Sequence, residues 1–408
     1  MNARNIVVVL SVLLSAPVSL PSAAEDGDRF PQGATFTTLI TTPRNIEGMT
    51  GDNQGNLYAP GRGLVAGEAC PVWRVNIEKP SLVVVGLIPA PSPTGLCQPL
   101  GLTFDRAGKL FVTETDKIYS FFPNSTTPPI AALFASGVPG TNGVAFDADD
   151  NLWTGDGTTG QGRVWMITPA GVVTEVFRVQ PMANEVNLVL GVGGVGRDVR
   201  DLPPGTITVT ATTRNAANTA GSQPLVSNGL AFDKHGNLFV ADTARGAIWK
   251  VRFERGGTLL SKTGCDTTFT ANTLCLDNLF VAHPVLEGAD GIALDHDDNI
   301  WVSANERNAI VGVTDKGKVI ELFRNTPNPA TQLRNAGQNL GAGLLEFPTS
   351  PFLSDRRFCT ASSDGNRRDN SPNTAGEIDN TTAGSTKRGK ISCMDQKLST
   401  PGVQLPVR

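Results

Sequence analysis

Short apolar runs alternate with polar turns along most of the chain, and they do so in a repeated register. Gly229-Leu230-Ala231-Phe232 runs to Asp233, Lys234-His235-Gly236 turns, and Asn237-Leu238-Phe239-Val240 returns. Two β-prone runs around such a turn predict a hairpin. The same arrangement stands at Glu47-Gly48…Asp52…Asn56-Leu57-Tyr58, Leu100-Gly101…Asp105…Lys109-Leu110-Phe111, Asn142-Gly143…Asp147…Asn151-Leu152-Trp153 and Asp290-Gly291…Asp295…Asn299-Ile300-Trp301. In each copy Asp falls four residues after the Gly and an aromatic falls ten after it. Copies recurring at about 40 to 60 residues indicate stacked blades or a solenoid.

Most copies continue with a third strand, as in Ala247–Val251, Gly162–Met166 and Ala309–Val313, and often a fourth, as in Val172–Phe177 and Lys318–Phe323. Four antiparallel strands per unit make a propeller blade. A degenerate sixth unit fits Pro348–Phe352 followed by Arg357–Thr360. The expectation is therefore an all-β, six-bladed β-propeller occupying 25–408 as a single domain, with a terminal strand completing the last sheet. Ring closure is preferred to a solenoid because it removes exposed strand edges. Two stretches break the spacing. Residues 181–224 read as an inserted hairpin or lid, with Glu185–Leu190 and Thr206–Thr212 as its strands, and 362–390 reads as a long polar loop.

Composition narrows the setting. Gly (44) and Pro (28) are frequent among 408 residues, which suits many strands joined by turns. A net charge of -4 without a dense Lys/Arg patch gives no electrostatic case for nucleic acid. Residues 1–24 read as a signal peptide: Arg4, an apolar stretch Ile6–Leu14, and Ser22-Ala23-Ala24 as a small-residue cleavage site. That stretch is too short to span a bilayer, so a secreted or periplasmic protein is expected. Six cysteines suit an oxidising compartment. Six thiols allow 15 pairings. Nearest neighbours (Cys70 with Cys97, Cys265 with Cys275, Cys359 with Cys393) are the expected partners, because each pair then lies within one local stretch.

Blade topology places the residue before each repeated Gly at one mouth of the central channel. Glu47, Asn142, Asn228 and Asp290 gather there, offering two carboxylates and two amide oxygens. Hard oxygen donors suit Ca²⁺, with Mg²⁺ or Mn²⁺ as alternatives, and the absence of Cys or His at these positions argues against zinc or copper. Asn-Gly and Asp-Gly also make ordinary turns, but that explains neither Glu47 nor the shared register. Asp290 is the candidate catalytic proton acceptor, with His283, seven residues earlier, as a weaker second. The repeated Asp at the opposite turn is read as a cap on that turn, and the aromatics as packing between blades. Gly191–Gly196 matches a dinucleotide fingerprint on paper, but Pro203-Pro204 leaves no room for the helix that would hold the pyrophosphate.

With these residues in hand, the chain resembles the SMP-30/gluconolactonase/LRE-like family of six-bladed propellers. Ser227–Phe232 and Asp290–Asp295 carry the resemblance most specifically, and Glu47-Gly48 supports it. The resemblance implies a divalent metal held by such Glu, Asn and Asp residues, and a small-molecule lactone or ester substrate opened by hydrolysis. Family sugar lactonases often place Arg two residues before the Asn of the third unit, where this chain has Gly140. The cysteines and the insertion look like an exported branch. The hairpin is also close to NHL repeats, so the alternative expectation is a non-catalytic scaffold that binds a partner or ligand through its loops.

Overall fold

The structure is a computed structural model. It describes residues 29–180, 183–184, 207–208, 226–243, 245–254, 257–267, 269–286, 288–324, 344–345, 347–363 and 389–403. Six four-stranded antiparallel sheets follow one another as blades I to VI. Blade I holds Thr50–Gly51, Asn56–Pro60, Cys70–Asn76 and Val83–Ile88; blade II holds Pro99–Phe104, Leu110–Glu114, Lys117–Phe121 and Ala132–Ser136. Blade III holds Thr141–Phe146, Leu152–Asp156, Arg163–Ile167 and Val173–Arg178, and blade IV holds Ser227–Phe232, Leu238–Asp242, Ala247–Val251 and Leu279–Ala282. Blade V comprises Ala289–Leu294, Ile300–Ala304, Ala309–Val313 and Val319–Arg324.

Blade VI closes the ring with strands from both ends of the chain. Pro348–Ser354, Arg357–Ser362 and Gly389–Met394 are joined at the outer edge by Phe36–Thr42, in register from Phe36 opposite Met394 to Thr42 opposite Gly389. The expected terminal strand is thus present. The third strand of this blade, Gly389–Met394, begins inside the stretch read as a loop, and residues 364–388 lie outside the described residues. In the insertion the described pair is Ala183–Asn184 with Ile207–Thr208; Glu185–Leu190, the Gly-rich tip and the leader fall outside the described residues.

The hydrophobic core is six cores, one at each junction between neighbouring blades. Trp153 and Phe177 of blade III meet Phe232 and Trp249 of blade IV, for example, and Leu57 and Trp73 of blade I meet Phe352 and Ile391 of blade VI. The repeated aromatics Tyr58, Phe111, Trp153, Phe239 and Trp301 are all buried in such junctions. The repeated Asp caps the turn below them. Asp52 Oδ1 accepts from the Gln54 and Asn56 backbone at 2.8 and 3.0 Å, and its Oδ2 accepts from Tyr58 Oη at 2.9 Å. Trp153 Nε1 donates likewise to Asp147, and Trp301 Nε1 to Asp295, at 2.8 and 3.1 Å. In these three copies the aromatic anchors the turn by its polar tip while its body fills the blade junction; Phe111 and Phe239 serve the packing alone.

Disulfides join Cys70 to Cys97, Cys265 to Cys275 and Cys359 to Cys393, the nearest-neighbour pattern. Among the described residues no helix is long and apolar enough to cross a membrane.

Candidate functional site

The innermost strands approach one another around the channel so closely that only Gly fits at the repeated position. A Cβ on Gly48 would stand 2.0 Å from the Leu100 carbonyl oxygen, one on Gly101 2.2 Å from that of Asn142, and one on Gly143 2.5 Å from that of Asn228. Gly229 meets the Asp290 carbonyl at 2.4 Å and Gly291 the Thr349 carbonyl at 2.3 Å by the same measure. The Thr349 hydroxyl donates to the Glu47 carbonyl and completes the circle. Each Gly thus packs against the residue that precedes the next one. Glu47, Leu100, Asn142, Asn228, Asp290 and Thr349 form a continuous ring, one per blade, at one mouth of the channel.

All four residues proposed from the sequence belong to this ring. Asn142, Asn228 and Asp290 are 7%, 5% and 3% exposed, and the Glu47 side chain is 13% exposed. Asp290 Oδ2 accepts from Asn305 Nδ2 at 2.8 Å, and Glu47 Oε2 accepts from Arg62 Nη2 at 2.5 Å. The amide side chains of Asn142 and Asn228 make no hydrogen bond among the described residues. Their amide atoms are not among the fully buried unsatisfied ones, so they face the open mouth and are available to a ligand there. Leu100 interrupts the ring at blade II and supplies an apolar wall there.

Below the ring the channel is apolar. Met49, Leu102, Val144, Leu230, Ile292 and Phe352 line a cavity of about 100 Å³. Its far end is covered by Pro401–Val403: His296 N donates to the Pro401 carbonyl at 2.9 Å, Gly402 N to Asp355 O at 2.7 Å, and Val403 N to Leu294 O at 3.0 Å.

Sequence reasoning missed a second layer. Arg62 and Asn305 each stand 15 residues after the ring residue they touch, as do Thr115, Gly157 and Thr243 in blades II to IV. A Cβ on Gly157 would lie 2.4 Å from Asn142 Nδ2, so glycine there makes room for the amide. The constant offset was the available signal, since it falls just past the end of strand two in blades I to V. One position earlier stand three fully buried acids, Glu114, Asp156 and Asp242. Asp156 is held by Arg163 Nε at 2.9 Å and by Thr159 N at 2.9 Å. Among the described residues neither Asp242 carboxylate oxygen has a hydrogen bond, with Arg245 Nη1 3.9 Å away. Burial raises the Asp242 pKa against the opposing pull of Arg245, and burial lowers that of Arg245.

His283 lies in the connection from the outer strand of blade IV to the inner strand of blade V. Its Nδ1 accepts from Val285 N at 3.1 Å, which places any ring proton on Nε2. Burial depresses its pKa, Arg307 depresses it further, and Glu321 opposes them. His235 and His296 lie in exposed turns between strands one and two, at the other end of the channel.

The donor set fits a hard divalent cation of modest affinity: two carboxylates and two unpartnered amides, with solvent or substrate completing the sphere. Among the described residues no group of three or more His, Cys, Asp or Glu gathers that could hold a metal, so an ion here rests on the two carboxylates and the amides together.

The profile described as the SMP-30/Gluconolactonase/LRE-like region matches residues 194–338. That stretch contains Asn228 and Asp290, whereas Glu47 and Asn142 lie outside it. No curated protein matches the sequence. Among solved structures, a luciferin-regenerating enzyme aligns over 91% of this chain and 97% of its own at 10% identity and a TM-score of 0.53. A calcium-binding protein, regucalcin, from Agrobacterium tumefaciens aligns over 90% and 95% at 12% identity and a TM-score of 0.50. The PQQ-bound aldose sugar dehydrogenase of Streptomyces coelicolor aligns over 90% and 100% at 15% identity and a TM-score of 0.50. Three differently named proteins at such identities share a fold with this chain and nothing finer. Residues 194–338 are thus similar to the SMP-30/gluconolactonase/LRE-like region, and the chain folds as a six-bladed propeller.

Proposed function

We propose that the protein is a divalent-cation-dependent hydrolase that opens a lactone or a related ester, with Ca²⁺ as the ion and the ring mouth as the site. The observation that carries this is the ring that sets the Asn142 and Asn228 amides, which make no hydrogen bond among the described residues, on one mouth with the carboxylates of Asp290 and Glu47. When bound, a cation supplies polarisation of a carbonyl oxygen and a lowered pKa for water.

The chain's own residues divide the remaining work. Asn142, Asn228, Glu47 and Asp290 hold the ion. Asn305 orients Asp290 by donating to its Oδ2, and the Asp290 carboxylate takes the proton from an attacking water. Water adds to the carbonyl carbon, the ring C–O bond breaks, and the products are a carboxylate and a hydroxyl on one molecule. His283 is the second candidate for the proton, and its depressed pKa keeps it neutral and basic at pH 7. The apolar channel and Leu100 exclude water behind the carbonyl. Three disulfides fit an exported protein working in an oxidising compartment.

A second reading, a scaffold that binds a partner through its loops, rests on Leu64, Val65 and Leu96. These are 45%, 61% and 43% exposed on two loops joined by Gly63 N to Cys97 O and Gly67 N to Gly95 O, at the same mouth. Calorimetric Ca²⁺ titration of the metal-stripped mature protein, with Asn228→Ala alongside, separates the two readings. Saturable one-site binding that Asn228→Ala removes, followed by lactone turnover that Asp290→Ala abolishes, is the expected result. No binding, or binding indifferent to Asn228→Ala, overturns the hydrolase reading in favour of the scaffold.

A further inference from the structure

Arg62 and Glu47 make a charged contact at the ring, and it sets a cation of the chain against the ion the ring is proposed to hold. Arg62 Nη2 lies 2.5 Å from Glu47 Oε2. The backbone around Arg62 is pinned: Gly61 N donates to Pro71 O at 2.8 Å, Arg62 N to Asn45 O at 2.8 Å and Gly63 N to Cys97 O at 2.7 Å. Cys97 is itself tied to Cys70. Only the side chain has freedom, and it is 31% exposed. Its Nε is buried without a hydrogen-bond partner, so the pairing with Glu47 satisfies the guanidinium only in part. The neighbouring guanidinium on this blade, Arg44, is held by Glu68 at 3.0 Å.

A carboxylate that coordinates a divalent ion has its charge neutralised, and its attraction for a guanidinium beside it falls accordingly. Arg62 then carries an uncompensated charge and a planar fork of donors at the mouth, the geometry that recognises a carboxylate in two bonds. We propose that Arg62 is the ligand-recognition residue of this mouth: it occupies Glu47 in the ion-free protein, is released when the ion binds, and then holds an anionic group of the ligand. The ion-loaded site therefore selects carboxylate-bearing lactones or esters over neutral ones. This rests on the cation reading above. It adds a coupling between ion and anion, each strengthening the other's binding by the same factor.

The test uses Ca²⁺ and hexanoate, a monocarboxylate that chelates Ca²⁺ weakly, with the full mature chain as wild type, Arg62→Gln and Arg62→Lys. Ca²⁺ affinity is measured by calorimetry with and without hexanoate, and near-ultraviolet circular dichroism checks that each variant keeps its packing. Removing a like charge one side chain away raises Ca²⁺ affinity on the order of tenfold in Arg62→Gln. Arg62→Lys, which keeps the charge but not the fork, stays near wild type for Ca²⁺. Hexanoate tightens Ca²⁺ binding in the wild type and has no effect in Arg62→Gln. Ca²⁺ binding that is present but unchanged in Arg62→Gln overturns the inference and leaves the cation site standing. Increased affinity in that variant without a hexanoate effect in the wild type overturns the ligand class. No Ca²⁺ binding in any of the three overturns the cation reading itself, and this inference with it.

Discussion

Substituting Gly229 by Ala tests the link between ring closure and the site. Gly229 does not adopt a positive φ, so alanine is acceptable to its own backbone. The obstacle is the neighbouring blade. A Cβ there would lie 2.4 Å from Asp290 O, 2.7 Å from Gly291 Cα and 2.7 Å from Ile292 N, against the 3.4–4 Å of ordinary contact. The inner strands of blades IV and V must separate by about 1 Å, and no flexible side chain can yield instead. Overpacking costs about 1–3 kcal/mol, and rigid backbone at all three contacts places this case at the upper end, about 3 kcal/mol. Reduced freedom of the unfolded chain returns about 0.4–1 kcal/mol, leaving a net loss of about 2–2.5 kcal/mol. Gly236→Ala is the comparison. That Gly has φ +81° and open space around its Cβ position, so only the left-handed backbone penalty of about 1–2 kcal/mol applies, less the same return. Urea unfolding followed by the fluorescence of Trp153, Trp249 and Trp301, all buried at blade junctions, reads both. Gly229→Ala also weakens Ca²⁺ binding, because the strain falls between Asn228 and Asp290, whereas Gly236→Ala leaves it unchanged. A Gly229→Ala protein no less stable than Gly236→Ala would refute the close-packed ring as the device that spaces the ligands.

The disulfides provide a second measurement. Cys359–Cys393 closes 34 residues and Cys265–Cys275 closes 10; paired Ser substitutions should cost about 4 and 3 kcal/mol respectively on a loop-entropy basis, read as urea midpoints, and equal or reversed losses would count against that account. His283 gives a pH dependence. Its folded pKa lies below the unfolded value of about 6.5, so the unfolded chain binds more protons in acid. Its contribution is fully present above that unfolded value and is lost as pH falls through the folded pKa. The wild type should therefore lose more stability between pH 7.5 and 5 than His283→Asn, whose Oδ1 can still accept from Val285 N; equal losses in the two proteins would show that His283 does not titrate as argued.

The repeated Gly…Asp…aromatic register determined five of the blades, the course of their hairpins and the side of the channel on which Glu47, Asn142, Asn228 and Asp290 stand, and the strand pattern of a degenerate sixth unit supplied the last blade. It could do so because a blade is a local structure: strand alternation, an Asp-capped turn and an aromatic that reaches back to that Asp all lie within ten residues. Neighbour pairing of the cysteines was legible for the same reason of short separation. What the sequence left undecided depends on contacts between distant segments. That Phe36–Thr42 closes the sheet ending in Gly389–Met394 is a pairing across more than 300 residues, and such register is set by packing that no local pattern encodes. The covering of the far channel end by Pro401–Val403 is of the same kind. Most consequential, Glu47 reads from the sequence as an oxygen donor at the mouth, with no partner of its own indicated. Only the end of strand two in the folded blade brings the Arg62 guanidinium onto its carboxylate and the Asn305 amide onto that of Asp290, because charge compensation at a mouth is decided by which side chains the closed ring sets side by side.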